Sequence, residues 1–296
     1  MLAWLQRATT LGIALLATFW AVGFWWAGRP LWAVSGALFI VFFHALVLAV
    51  EFALMRCVHG EDPNPRPTPL ETLRAWAGEV GAAVRVFCWR QPFCSSRWPD
   101  NLPEDATGRT GVVLVHGFVC NRGVWNAWLA RLSERGVPFI AVNIKSIFGS
   151  IDEGAAVVEA AVQRITRATG QAPLLVAHSM GGLAVRRWWC QHPSAPVRHV
   201  ITLGTPHQGT WLARFAMSLN GRQMQTGSAW LTVMRLSEPA LRAQRFTCFY
   251  SHCDNIVFPP TTATLPGADN RFLKGVAHVN MVDRPEPWAE ALRWLS

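Results

Sequence analysis

A serine flanked by small residues lies in the run Leu174–Gly182, which reads Leu-Leu-Val-Ala-His-Ser-Met-Gly-Gly. The apolar residues before the serine predict a buried strand, and the residues after it suit a helix. A sharp turn between a strand and a helix is the setting of a nucleophile elbow, which projects the serine hydroxyl out of the fold. The usual pattern is Gly-x-Ser-x-Gly, and here Ala177 replaces the first glycine at the cost of one methyl group. We therefore predict that Ser179 is a nucleophile.

A serine hydroxyl needs a base to remove its proton, and the base needs a carboxylate to hold its tautomer. His278 and Asp254 follow later predicted strands, so the chain order is Ser, Asp, His, as this type of hydrolase requires. Asp269 is a rival acid in a predicted loop. Each residue also has a non-catalytic interpretation. Asp254 could form a turn before Asn255, and His278 could be a structural histidine of a loop.

The tetrahedral intermediate of acyl transfer carries an oxyanion, which needs hydrogen-bond donors already in place. One donor should be the backbone N–H of Met180, the residue after the nucleophile. The other should come from the loop after the predicted strand 111–116, and we assign it to the N–H of Phe118. Asn121 could also reach this loop.

Other polar residues near these motifs suit supporting roles. We expect His116 and His178 to support the turns of the active site. His207 is expected at the rim of the site, and Asp152 as a cap or first-turn charge of a helix. His252 is close in sequence to the candidate acid, but we do not expect it to act as its partner.

Four blocks together carry a resemblance to a known family: His116-Gly-Phe118, Ala177-His-Ser-Met-Gly-Gly182, Leu203-Gly-Thr-Pro-His-Gln-Gly209, and the pair Asp254 and His278. Over roughly residues 108–296 the chain resembles the α/β-hydrolase family, in particular its bacterial lipases and esterases. The resemblance implies an α/β-hydrolase fold, with a mostly parallel sheet and helices on both faces. It also implies acyl transfer to water through a serine acyl-enzyme.

The N-terminal region has a different character. Residues 8–28 and 30–50 carry no charged side chain, and each stretch is long enough to cross a hydrocarbon core of roughly 30 Å as a helix. We predict a transmembrane helical hairpin over residues 1–55 that turns at Gly28-Arg-Pro30. A cleaved signal peptide is the alternative for the first stretch, with a small-x-small site at Ala21-Val-Gly23. The bulky run Phe24-Trp-Trp26 that follows at once argues against cleavage.

Positive charge in short flanks sets the orientation of membrane helices. The outer flanks hold four arginines, whereas the turn holds only Arg29. The four are Arg7, Arg56, Arg66 and Arg74. This bias predicts a multi-pass protein of the bacterial inner membrane, with both chain ends and the catalytic domain in the cytoplasm.

Composition narrows the partners. The formal net charge is +9 and the pI is near 10, which suits anionic lipid head groups. Nucleic acid would also suit a basic protein, but no nucleic-acid-binding motif is present. Attraction to lipid therefore explains the positive charge better. The seven cysteines are odd in number and form no dense framework, although Cys88 with Cys94, or Cys248 with Cys253, could pair. No Cys-x-x-Cys pair or histidine cluster indicates a metal, and the predicted chemistry needs no cofactor.

The remaining sequence divides into a connecting segment and a catalytic domain. Residues 56–107 contain a proline-rich linker and then an amphipathic helix over 70–87. The apolar side of this helix would lie either on the membrane or on the domain. Residues 91–110 look like a loop. The domain, 108–296, alternates strands and helices, which predicts a parallel sheet. Predicted strands are 111–116, 138–143, 173–178, 198–203, 246–251 and 270–274. Predicted helices are 123–135, 153–169, 180–191 and 285–295.

The alternation pauses at about 210–245, where methionine and tryptophan are frequent. This segment either forms a modest lid over an acyl pocket or simply packs on the domain. Together these features predict a membrane-anchored serine hydrolase that cleaves lipid-like carboxylic esters. A thioesterase, an amidase or a phospholipase would use the same residues, and a catalytically silent membrane scaffold is the alternative from another class.

Overall fold

The computed structural model describes residues 1–295 of the chain. Six strands form one fully parallel sheet in the order β2-β1-β3-β4-β5-β6. The strands are β1 Val112–Val115, β2 Phe139–Ala141, β3 Leu174–His178, β4 His199–Leu203, β5 Phe246–Tyr250 and β6 Asp269–Phe272. The helices are α1 Leu2–Trp26, α2 Pro30–Val58, α3 Pro69–Ala83, α4 Gln91–Cys94, α5 Asn126–Glu134, α6 Ile151–Thr169, α7 Met180–Gln191, α8 Leu219–Gln223, α9 Ala229–Ser237 and α10 Pro285–Leu295.

The central strands are buried on both faces, as expected for a parallel sheet covered by helices. Along β1, Val113 and Val115 join a core with α6 and α7, whereas Val112 and Leu114 join a second core with α5 and α10. This alternation follows from the two-residue period of a strand. The predicted fold class, an α/β-hydrolase fold with helices on both faces, is confirmed, and each predicted strand and helix of the domain overlaps an observed one.

The prediction of a loop over residues 91–110 was wrong for its first four residues, which are helical. Residues 91–110 were expected to be irregular, but α3 continues through a π-helical segment, Val84–Arg90, directly into α4. Pro92 lies within this continuous helical run, directly after the wider π-helical turns.

The two N-terminal helices are long and apolar enough to cross a membrane, and their apolar stretches are largely exposed on the protein. The turn between them contains Gly28 with a φ of +70°, at the predicted place. At the other end of the hairpin, Phe52 and Met55 of α2 pack against Cys253 and Phe258 of the hydrolase domain. The hairpin therefore touches the domain with its open end, and α2 runs past the predicted boundary at residue 55.

Helix α3 packs on the domain and on α2, and of the two placements predicted for its apolar side, the one on the domain is not observed for Leu70 and Leu73. The large apolar residues Leu70 and Leu73 remain more than half exposed, whereas Ala75 and Glu79 are buried. Trp76 donates a hydrogen bond from its indole N–H to the carbonyl of Ala45 in α2. Small residues allow the close approach of α3 to the domain, so the side that reads as polar in the sequence is the buried one.

The proline-rich linker between α2 and α3 is held against the domain. One carboxylate oxygen of Asp62 accepts hydrogen bonds from the backbone N–H and the hydroxyl of Thr261. Asn64 accepts a hydrogen bond from the hydroxyl of Tyr250. Within residues 1–295 all seven cysteines are free thiols, including the two pairs that the sequence allowed.

The segment 210–245 folds into α8, α9 and short 3₁₀ turns on one side of the sheet. Its C-terminal part is fixed by Arg186 of α7, which is 2% exposed and donates two hydrogen bonds to Glu238, at 2.6 and 2.9 Å. The same guanidinium donates to the carbonyl of His207 at 2.7 Å. The insert is thus tied to the helix that begins at the candidate nucleophile.

Replacing Glu238 by alanine should lower the free energy of unfolding by about 3 kcal/mol, because the buried charge of Arg186 would lose its partner. Denaturant unfolding in detergent micelles, followed by tryptophan fluorescence, measures the change. Glu134→Ala, at an exposed position at the end of α5, is the matched control. A loss for Glu238→Ala no larger than that of the control would contradict this account of the ion pair.

Candidate active site

The candidate site lies at the carboxyl ends of the strands, where open parallel sheets bind their ligands. Ser179 is the single residue between β3 and α7, and its φ of +56° is unusual for a residue with a side chain. Its backbone N–H donates to the carbonyl of Leu203 in β4, which fixes the turn. The strained conformation is the one that a nucleophile elbow requires.

Gly117, in the loop after β1, lies directly against this serine. A Cβ atom on Gly117 would come within 2.7 Å of Ser179 Cβ and 3.2 Å of its Oγ. Only glycine permits the loop to approach so closely. The loop after β1 and the elbow after β3 therefore form one structure, with the backbone of residues 117–118 beside the serine hydroxyl.

Asp254 and His278 form a buried hydrogen-bonded pair. Nδ1 of His278 lies 2.9 Å from each carboxylate oxygen of Asp254, and the two residues are 4% and 1% exposed, respectively. The carboxylate also accepts the backbone N–H groups of Ile256 and Val257, which hold it in place. The rival acid, Asp269, begins β6 and pairs with Arg271 instead.

Burial and the neighbouring carboxylate act on the pKa of His278 in opposite directions. Burial alone would lower the pKa of His278, but the charge and the hydrogen bond of Asp254 raise that pKa above its ordinary value. Since Asp254 occupies Nδ1, the other ring nitrogen, Nε2, is the one that can exchange a proton with a substrate or a hydroxyl.

His178 connects the elbow with this pair. Its ring centroid lies 4.7 Å from that of His278, and its Nε2–H donates to the backbone carbonyl of His278 at 3.2 Å. Burial and the neighbouring imidazole lower the pKa of His178 well below its ordinary value, so it remains neutral. Within residues 1–295, neither Ser179 Oγ nor His278 Nε2 has a hydrogen-bond partner. Catalytic hydrogen bonds are often long before a substrate is bound.

The two predicted backbone donors, Met180 and Phe118, belong to the segments next to Ser179. Met180 is the first residue of α7, and the first N–H groups of a helix have no partner within it. Phe118 follows Gly117 in the loop beside the serine. Asn121 does not take part, because its side-chain amide donates to the carbonyl of Gln91 and its amide oxygen accepts the N–H of Gly123.

The supporting histidines fall into two groups. His116 fits its predicted role, since its Nε2 accepts the N–H of Ile144 and burial lowers its pKa to about 4. The prediction for His207 was wrong, because the ring is buried among Arg186, Thr202 and Cys248 instead of lying at the rim. Asp152 lies in the first turn of α6, as predicted.

Two contributors to the histidine loop were not recognised in the sequence. His252 accepts the N–H of Gly275, at the start of the loop that carries His278, and its other nitrogen donates to Pro65 of the linker. Gly204 has a φ of +55°, and a Cβ atom there would lie 2.9 Å from Asp254 Oδ2 and 3.0 Å from His278 Nδ1. For Gly204, the sequence signal was the block Gly204-Thr-Pro206.

An apolar cavity of about 620 Å³ opens beside the loop after β1. Phe118 lines it together with residues of the insert, and Phe148, Phe215 and Met217 at its edge are more than half exposed. The cavity is large enough for an alkyl chain. No group of three metal-binding side chains occurs among the residues described by the structure.

Comparison with known proteins identifies the fold family. The model of the alpha/beta hydrolase family matches residues 112–295. The chain belongs to this family. No curated protein matches the chain in sequence. This alpha/beta hydrolase is similar in fold to a lipase of Bacillus licheniformis, BlEst2 in its mature form, with a TM-score of 0.55 and 18% identity over 66% of this chain and 96% of that one.

A second similar structure is lipase B of Aspergillus fumigatus. Its TM-score is 0.51, and the identity is 19% over 62% of this chain and 52% of that one. At such identities the likeness shows the fold alone. The N-terminal helices precede the region that the family model matches.

Gly204→Ala should slow the reaction of the site with a fluorophosphonate probe about 100-fold. The new methyl group would displace the Asp254–His278 pair, and a misplacement near 1 Å costs roughly that factor. Gly170→Ala is the matched control, because Gly170 also has a positive φ, +67°, but open space around it. Equal labelling rates in the two variants would show that the contact at Gly204 is unimportant.

Proposed function

We propose that this alpha/beta hydrolase is a membrane-anchored serine hydrolase that cleaves carboxylic esters of lipid-like molecules. The observation that carries the proposal is the buried hydrogen bond between His278 and Asp254, at the carboxyl edge of the same sheet as the strained turn of Ser179. Each of the three residues follows a different strand, and their order along the chain is the one this family uses.

The proposed reaction has two halves. In the first, Ser179 Oγ attacks the ester carbonyl while His278 Nε2 takes the hydroxyl proton, and the tetrahedral intermediate then expels the alcohol, which receives that proton. In the second, a water molecule attacks the acyl-enzyme with the same proton transfers, which releases the carboxylic acid and restores Ser179. Asp254 stabilises the imidazolium that forms in each half.

The oxyanion of each intermediate would be bound by the backbone N–H groups of Phe118 and Met180. These groups belong to the loop after β1 and to the start of α7, which the close contact at Gly117 holds together. Donors that are fixed before the reaction need no reorganisation as charge develops on the carbonyl oxygen.

The cavity beside Phe118 supports an apolar acyl chain as the part of the substrate that is bound. Its lining is mostly apolar, and its exposed rim residues, Phe215 and Met217, are of the kind that enter a lipid surface. We therefore assign the insert, about 210–245, as the cap that shapes the acyl site.

The hairpin supports anchoring in a membrane. Both of its ends contact the catalytic domain, since Gln6 of α1 donates to the carbonyl of Val119 and α2 packs on Cys253 and Phe258. The domain therefore lies on the side of the bilayer opposite to Arg29. The excess of arginine near the ends of the hairpin favours the cytoplasmic face of a bacterial inner membrane. In this arrangement residues 1–55 form the membrane anchor. Residues 56–107 form the connecting segment, and residues 108–296 form the catalytic domain.

The purified Ser179→Ala variant should lose hydrolysis of a medium-chain p-nitrophenyl ester by at least about 10⁴-fold, and should not react with a fluorophosphonate probe. Ser194→Ala, at an exposed position after α7 and outside the insert, is the matched control and should behave as the wild type. Hydrolysis by Ser179→Ala at the wild-type rate would refute the proposal. Absence of any adduct on the wild-type protein would instead favour a silent scaffold.

The pH dependence tests the histidine. Because Asp254 raises the pKa of His278 above its ordinary value and only the neutral imidazole accepts a proton, kcat/KM should fall at acidic pH, with a limb above that of a free imidazole. Asp254→Asn should shift this acidic limb to lower pH and reduce kcat on the order of 10⁴-fold. Asp105→Asn, at an exposed surface pair, is the control. An acidic limb that does not move in Asp254→Asn would contradict the assigned pair.

A substrate panel of triacylglycerol, phospholipid, acyl-CoA and acyl amide, presented in mixed micelles, compares the ester substrate with the alternatives that share the same residues. We expect the highest kcat/KM for triacylglycerol. A higher value for phospholipid, acyl-CoA or acyl amide would favour the phospholipase, the thioesterase or the amidase, respectively.

A further inference from the structure

The loop that carries His278 is held by a carboxylate from α3. Glu79 is 1% exposed, and its two carboxylate oxygens accept the backbone N–H groups of Val279 at 2.7 Å and Asn280 at 3.0 Å. These are the two residues directly after the histidine. A carboxylate that accepts two N–H groups fixes the direction of the chain at that point, and with it the start of the imidazole side chain.

A second carboxylate reaches the same histidine from α2. Glu51 accepts a hydrogen bond from the side-chain amide of Asn255 at 2.7 Å. The amide oxygen of Asn255 accepts the backbone N–H of His278 at 3.4 Å. Asn255 is completely buried and follows Asp254 directly, so this contact joins the two members of the hydrogen-bonded pair.

We propose that Glu79 and Glu51 are positioning residues that set the orientation of His278, and that the N-terminal helices are therefore part of the active site and not only an anchor. The inference rests on the proposed function, in which His278 is the general base. Neither glutamate touches the reacting atoms; each acts through the backbone of the histidine or through its neighbour.

The cost of burying these groups supports a specific role. Burial raises the pKa of Glu79 to about 7, even though its two backbone N–H partners and the nearby imidazole act in the opposite direction. An apolar residue would fill the same space without this cost, but it would leave two buried N–H groups without an acceptor. The carboxylate also places a negative charge near the imidazole, where it favours the protonated form that appears during catalysis.

Glutamine is the informative replacement because it has nearly the same shape. Its amide has one acceptor oxygen, so Glu79→Gln can accept from one backbone N–H while its NH₂ group opposes the other. In Glu51→Gln the oxygen can still accept from Asn255, so only the charge is lost. The pair of variants thus separates the geometric contribution from the electrostatic one.

The test measures kcat, KM and the pH profile of full-length protein in micelles with a short, soluble ester. We expect Glu79→Gln to lower kcat about tenfold to 100-fold with KM changed less than threefold, because the base is displaced but the substrate is not. Glu61→Gln, an exposed linker position, is the matched control. Thermal unfolding of each variant is recorded in parallel.

The pH profile separates positioning from a general loss of folding. The charged or titratable groups that act on His278 are Asp254, Glu51, Glu79 and the neutral His178. Removal of either negative charge, from Glu51 or Glu79, lowers the pKa of the imidazolium, so the acidic limb of kcat/KM should move to lower pH in both glutamine variants. A purely structural defect would lower the activity by the same factor at every pH.

Unchanged kcat and unchanged acidic limbs in both variants would overturn the inference, as would a uniform loss that follows the loss of folded protein. Failure of the proposed function gives a different result. In that case His278→Ala would react with the fluorophosphonate probe as fast as the wild type. If His278→Ala is unreactive but the glutamine variants match the wild type, only the positioning role is wrong.

Discussion

The hydrogen bond between Asp254 and His278 lies in the protein interior, and the rest of the site depends on it. A buried carboxylate is stable only where it is paired and hydrogen-bonded, and here two backbone N–H groups and one imidazole provide those partners. The sheet delivers the pair and Ser179 to one edge because its strands are parallel. Close backbone contacts at Gly117 and Gly204 then bring the loops within reach of one another.

The same pair explains why the N-terminal helices are packed on the domain as they are. Helices that only tether a domain need no polar contacts with it. Here α2 and α3 contribute Glu51 and Glu79 to the loops around the histidine, and the linker between them holds His252, which supports the start of the histidine loop. The N-terminal helices and the loops of the candidate site are therefore parts of one packed unit.

The sequence predicted the fold well because its strands are nearly continuous apolar runs, which signal burial on both faces. It also predicted the pairing of Asp254 with His278, since their order and loop positions follow from the sheet. It did not predict which side of α3 packs on the domain, because small residues beside Glu79 form that contact while Leu70 and Leu73 stay exposed. It failed likewise for His207. Which face of a helix packs depends on the shape of its partner, and a single sequence does not contain that shape.

The mouth of the apolar cavity lies beside the insert, and the insert begins at Trp211 and Leu212, which pack with the end of α2. Under the proposed anchoring of this chain in a bilayer, the placement of the cavity has a consequence for how a substrate is found. An ester dissolved in the same leaflet reaches the cavity by lateral diffusion, a search in two dimensions. Turnover then depends on the mole fraction of the ester in the membrane, and its solubility in water no longer matters.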